Sequence, residues 1–121
     1  MSHPERDWLE DILDAAREIR GVAAGLTRDE FEAERYRVLA VERLLEIIGE
    51  AAKQVSTEFR TGHPEIPWKR MAGMRDLLIH AYRNVDPDEV WKAVSVAVPE
   101  LISALEPLLP NDDDLTDEQA Q

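Results

Sequence analysis

TRDEFEAERYRVLAVERLLEIIGEAAKQV, Thr27 to Val55, decides the fold class. Phe31, Val38, Leu39, Val41, Leu44, Leu45, Ile48, Ala52 and Val55 recur at three- and four-residue steps, the apolar stripe of an amphipathic helix. Thr27 and Glu30 have capping-box spacing at its start. The stripe predicts one helix of roughly seven turns, long for a globular protein. Its polar side, Glu42, Glu46 and Glu50 with Arg43 and Lys53, reads as a solvated face.

Working outward, the same periodicity recurs on both sides. Upstream, Trp8, Ile12, Ala15, Ala16, Ile19, Val22 and Ala23 mark a helix from about Pro4 to Ala24, with Ser2 and Glu5 at capping-box spacing and Gly25 as its stop. Downstream, TEFRTGHPEIP (57–67) holds Gly62, Pro64 and Pro67 and predicts a connection. A third helix begins near Trp68, carries Met71, Met74, Leu77, Leu78 and Ala81, and breaks at Asn84–Val85. A fourth follows, capped by Asp86 with Pro87 at its first position and Glu89 completing a capping box. Val90, Trp91, Val94, Val98, Leu101, Ile102 and Leu105 line it, and Pro99 should kink it. VSVAV (94–98) is the nearest approach to a strand pattern, but it sits between helical stripes and is read as helix. The fold class is all-α, an up-and-down bundle of four to five helices over residues 1–110. Residues 111–121, an acidic tail, have too little apolar surface to order.

Composition narrows the function. The chain has 121 residues, 44% of them apolar, enough for one core. It has no cysteine, which excludes disulfides, thiolate metal sites and cysteine nucleophiles. No stretch approaches the roughly 20 apolar residues of a membrane span, and the acidic, amphipathic first residues are unlike a signal peptide. A cytoplasmic location and no membrane partner are therefore expected. Net charge is −12, which argues against nucleic acid as a partner. The charge is uneven, however: residues 60–83 hold five Lys/Arg against two Asp/Glu. There is no glycine-rich phosphate loop, no paired metal-binding histidines and no serine elbow. The run Asp112–Asp114 lacks the glycine turn and terminal Glu of a calcium loop. Neither a cofactor nor a metal is expected.

The third helix stands out. In MAGMRDLLIHAYRN (71–84), Arg75 and Tyr82 are seven apart and share nearly one helix face, while His80 lies about 140° round from Arg75. On spacing alone, a packed His, a core-edge Tyr and a solvated Arg explain these residues as well as chemistry does. Arg75-x4-His80-x-Tyr82, however, resembles the R-x4-H-x-Y signature of the HepT toxins, small helical ribonucleases of the HEPN superfamily. GLTRDEF (25–31), LLEIIGEAAKQVS (44–56), HPEIPWKRMAGMRDLLIHAY (63–82) and VDPDEVWKAV (85–94) extend the similarity, in matching order, as far as Leu109.

The resemblance implies a HEPN-like, two-fold homodimeric helical bundle that cleaves RNA without a metal ion. Such cleavage, by a ribose 2′-hydroxyl on its own phosphate, needs a proton acceptor, a proton donor and a cation. His80 is then the general acid–base and Arg75 the phosphate clamp, with Asp76 auxiliary. A second histidine would come from the other copy, with His63 the weaker candidate because a Pro-flanked loop explains it. Asp76 departs from the Asn most common after the motif Arg, and it adds negative charge beside a phosphate site. HepT toxins pair with a nucleotidyltransferase antitoxin, MntA, which transfers AMP to the motif tyrosine, here Tyr82. Arg60, Lys69, Arg70 and Arg83 could form a phosphate-tracking rim, though each is equally well an ordinary surface charge. Trp68 and Trp91 read as core or dimer packing. The competing reading is a non-catalytic helical dimer, the partner or regulatory subunit of a nucleotidyltransferase. A helical cofactor carrier is disfavoured because no helix offers metal ligands at workable spacing.

Overall fold

The buried faces of the predicted stripes meet as the periodicity requires. In the computed structural model, which describes residues 4–80 and 85–109, helix α1 spans Pro4–Ala23 and α3 spans Arg35–Gln54. The side chains of Pro4, Met74, Leu77, Ile79 and His80 lie outside that description. Leu9, Ile12, Ala16 and Ile19 of α1 are buried with Val41, Leu45, Ile48 and Ala52 of α3. Each large apolar side chain so buried contributes about 1.5–3 kcal/mol. Helix α3 packs between α1 and α5 (Trp68–His80), and α1 packs between α3 and α7 (Val98–Leu105). The described residues form no strand, so the expected all-α bundle is what the chain adopts.

The single long helix expected from Thr27 to Val55 is two helices. A six-residue α2 (Arg28–Ala33) ends at Glu34, whose extended backbone (φ −106°, ψ 92°) separates it from α3. Arg37 holds this corner: its Nε donates to the Glu34 carboxylate, and its Nη1 donates to the Val22 carbonyl at 2.7 Å, tying the corner to the end of α1. The break sets Phe31 into the core, 5.6 Å from the Trp91 ring. Gly25, at φ +74°, makes the turn out of α1 in the left-handed region. The Thr27–Glu30 capping box forms as predicted, with both reciprocal hydrogen bonds present.

The 57–67 connection contains a further helix, α4 (Thr57–Gly62), capped by Ser56 Oγ, which accepts from the Phe59 N–H at 3.1 Å. Phe59 packs edge-on against Trp68, and the Trp68 indole N–H donates to the His63 carbonyl at 2.9 Å. Both Glu5 carboxylate oxygens accept from the Ser56 N–H, which ties the start of α1 to this corner. The Ser2 partner expected for Glu5 lies outside the described residues. Asp86 caps α6 (Pro87–Lys92) through the Asp88 N–H at 2.9 Å, with Pro87 at the start as expected; the capping bond predicted to involve Glu89 goes to Asp88 instead. The VSVAV run is helical but wound as a π-turn (Ala93–Ala97) that leads directly into α7. Pro99 sits at the start of α7 and cannot donate back into the preceding turn, so the irregularity falls there. The Asn84–Val85 break and the 111–121 tail fall wholly or partly outside the described residues.

The cap at Thr27 gives a direct check. Thr27→Ala should lower stability by about 1 kcal/mol, while Thr27→Gly should cost only a few tenths. Urea midpoints of the two variants and the parent would read the difference; no loss in either variant would mean that the box contributes nothing.

Candidate active site

Arg75 lies in the middle of the described span of α5, five positions before His80. Its placement depends on a glycine. Gly49 is buried inside α3, and a Cβ there would overlap Arg75 Cβ and lie 3.0 Å from both Arg75 Cγ and the Met71 carbonyl oxygen. A glycine within a helix costs about 0.5–1 kcal/mol relative to alanine. Here its bare backbone makes the seat on which Arg75 rests.

From that seat the guanidinium meets two carboxylates. Nη2 donates to Glu50 Oε1 at 2.9 Å and Nη1 to Asp76 Oδ1 at 3.2 Å, while Nε is buried with no hydrogen-bond partner. Lys53 Nζ donates to the same Asp76 Oδ1 at 2.8 Å. Glu50 and Lys53 are exposed on the polar side of α3, as helical periodicity suggests, and also form ion pairs across the seam. At i and i+3 on α3 they stand side by side next to Gly49, Glu50 accepting from Arg75 and Lys53 donating to Asp76. The Lys53 hydrogen bond, with a smaller contribution from Arg75, holds the Asp76 carboxyl below its ordinary range against the opposing effect of desolvation. Two cations and two carboxylates thus form a network of zero net charge on the α3–α5 seam. The Arg75 side chain is 24% exposed and able to exchange partners with an incoming anion.

The other predicted residues fall around this network in different ways. The His80 backbone is the last described position of α5, while Tyr82 and Arg83 lie outside the described residues. Lys69 and Arg70 are exposed in the first turn of α5, about 120° and 140° round the helix from Arg75. Arg70 borders a cleft of about 210 Å³ beside Glu89 and Lys92. Arg60, on α4, donates to Thr57 Oγ1, and its Nε is buried without a partner. His63 has a packing role, its ring stacked on Phe59 at 4.4 Å and its Nδ1 3.0 Å from Glu65. Trp68 and Trp91 are half-buried against the core.

Gly49, Glu50 and Lys53 were the functional neighbours that the motif did not disclose. The one available signal was the glycine itself, since a residue unfavourable inside a helix implies a packing reason. A second cleft, of about 400 Å³ between Phe31, Arg35, Val38, Glu42 and Val90, holds the Glu42 carboxyl, which burial pushes up. Among the described residues no three His, Asp or Glu side chains cluster as metal ligands would, and no helix is long and apolar enough to cross a membrane.

The family model for HepT-like ribonucleases matches residues 12–108, which include Gly49, the α3 partners and the whole Arg75–Tyr82 motif. The chain belongs to the HepT-like ribonuclease family. A Thermococcus cleftensis protein described as "probable ribonuclease HepT" is 43% identical over 108 residues, covering 89% of this chain and 98% of that protein. A "putative RNase" of Methanocaldococcus jannaschii is 37% identical over 99 residues, 82% of this chain and 91% of the relative. Another, from Caldanaerobacter subterraneus subsp. tengcongensis, is 38% identical over 104 residues, 86% and 93% of the two chains. No solved structure matches the chain significantly. The HepT-like membership expected from the motif is thus met over nearly the whole helical domain.

Two outcomes test this geometry. Gly49→Ala should cost about 1–3 kcal/mol through overpacking, measured in denaturant, and should displace Arg75. Asp76 has a depressed native pKa, so its stabilisation is complete above the ordinary carboxylate range and is lost as pH falls through the native value. Melting temperatures of Asp76→Asn should therefore lie below the parent at neutral pH and converge with it in acid. A gap that persists below the native pKa would mean that Asp76 acts through packing and not through its charge.

Proposed function

We propose that this member of a ribonuclease family is a metal-independent endoribonuclease and the toxin of a toxin–antitoxin pair. The observation that carries the reading is the seating of Arg75 on Gly49, on the same helix that carries His80. Attack by a ribose 2′-hydroxyl on the adjacent phosphorus forms the 2′-oxygen–phosphorus bond, breaks the bond to the 5′-oxygen and leaves a cyclic phosphate. Arg75 neutralises the charge that develops on the phosphate oxygens. His80 handles one of the two protons. A two-fold related copy supplies the second imidazole, which makes the working site a property of the dimer.

Inhibition follows from the same placement. A nucleotidyltransferase antitoxin of the MntA kind would transfer AMP from ATP to the Tyr82 phenol oxygen. A phosphodiester forms as the phenol loses its proton and the α–β phosphoanhydride bond breaks to release pyrophosphate. That adds a bulky adenosine and a negative charge seven residues along the sequence from Arg75, blocking RNA both by occupancy and by charge. The competing reading, a non-catalytic dimer serving such a nucleotidyltransferase, is favoured by the two carboxylates already on Arg75 and by the net charge of −12.

RNA cleavage in excess EDTA separates the two. Protein shown by intact mass to carry no AMP should cleave. Arg75→Ala and His80→Ala should each fall by about 10²–10⁴-fold, the usual contribution of a proton-transfer or oxyanion-stabilising group. Equal, negligible cleavage by all three would leave the non-catalytic dimer as the function.

A further inference from the structure

Resting on the ribonuclease reading, we propose that Lys53 is a positioning residue of the phosphate site: it keeps the Asp76 carboxylate from competing with RNA for Arg75. The motif places a carboxylate directly after the phosphate-binding arginine, 3.2 Å from its Nη1. Left alone, that carboxylate would offset the guanidinium charge and repel a phosphodiester arriving there. The compensating cation is not among those that flank the motif in sequence. It is Lys53, 23 positions before Asp76, brought across the seam by the close approach of α3 and α5 at Gly49.

Two features make the assignment specific. Lys53 and Arg75 donate to one and the same oxygen, Asp76 Oδ1, so the lysine engages the very atom that occupies the guanidinium. Among the groups acting on Asp76, the Lys53 hydrogen bond is the largest, ahead of Arg75 itself. Asp76 is therefore primarily the partner of Lys53 and secondarily that of Arg75. Glu50, half-exposed at 54%, is then the ligand that Arg75 exchanges for phosphate. The network stays neutral because of Lys53, and a chain with Asp at position 76 depends on a cation at position 53.

The test is a double-mutant cycle on the full-length protein, using Lys53→Met, Asp76→Asn and the pair. Binding is measured with a fluorescent 2′-O-methyl RNA, which lacks the attacking hydroxyl, and kcat and KM with the same sequence as unmodified RNA. Lys53→Met should weaken binding and raise KM about threefold to fivefold, the size expected when an exposed ion pair is lost, with kcat changed less than twofold. In the Asp76→Asn background the same substitution should have no effect, a rescue that a merely structural lysine would not show. An equal loss in both backgrounds would make Lys53 an independent phosphate contact, and no loss in either would make the pair inert; each overturns the proposal. Parent protein that binds but does not cleave would sink the ribonuclease reading while the binding cycle still decides the role of Lys53. Failure of the parent to bind RNA would overturn both.

Discussion

The close approach of α3 and α5 at Gly49 is the constraint on which the rest of the site depends. One missing Cβ lets the Arg75 stem and the Met71 carbonyl lie directly against the α3 backbone. The polar end of Arg75 then emerges among Glu50, Asp76 and Lys53 with its rotamer already restricted by packing. A long, charged side chain in open solvent would lose up to about 2 kcal/mol of rotamer freedom on fixing a phosphate. Here most of that ordering is done when the chain folds, and the ordinary cost of a glycine in a helix is the smaller quantity. The buried Arg75 Nε, without a hydrogen-bond partner among the described residues, is a cost of the same arrangement.

Much of the scaffold was legible because it rests on local chemistry. The stripes of α1 and α3, the Thr27–Glu30 box, the Gly25 turn and the Asp86–Pro87 start each follow from near-neighbour spacing. What escaped was set by contacts distant in sequence. Glu34 is a good helix former, and only the reach of Arg37 to the Val22 carbonyl accounts for its extended backbone. Helix α4 was hidden by Gly62, Pro64 and Pro67, although Ser56 supplied a legitimate cap upstream of them. The π-turn lies where proline and a β-branched run meet, and periodicity at this scale does not distinguish it from an α-turn.

The site divides in the same manner. Arg75, His80 and Tyr82 form a local pattern and could be singled out from one helix. Glu50 and Lys53 could not, because charged residues opposite an apolar stripe look the same whether they face water or a neighbouring helix. Their role appears only once α5 is laid against that side of α3. A motif thus names the groups that act on the substrate, while the groups that set their charge can come from any element the fold brings alongside.

That division bears on how an acidic protein can hold an arginine for the proposed phosphate contact. Beyond a Debye length of about 8–10 Å, distant carboxylates are screened at physiological salt, so the overall charge of −12 weighs mainly on the rate of encounter. What matters at contact is the charge within a few ångströms of the guanidinium. There the count is two cations and two carboxylates, with one of each committed to the other through Lys53 and Asp76. The Arg75–Glu50 pair is partly exposed and replaceable, and a phosphate that displaces Glu50 gains a guanidinium already aimed, whose other carboxylate, Asp76, is shared with Lys53. Net charge and local charge therefore answer different questions, and in this fold the α3–α5 seam keeps the second independent of the first.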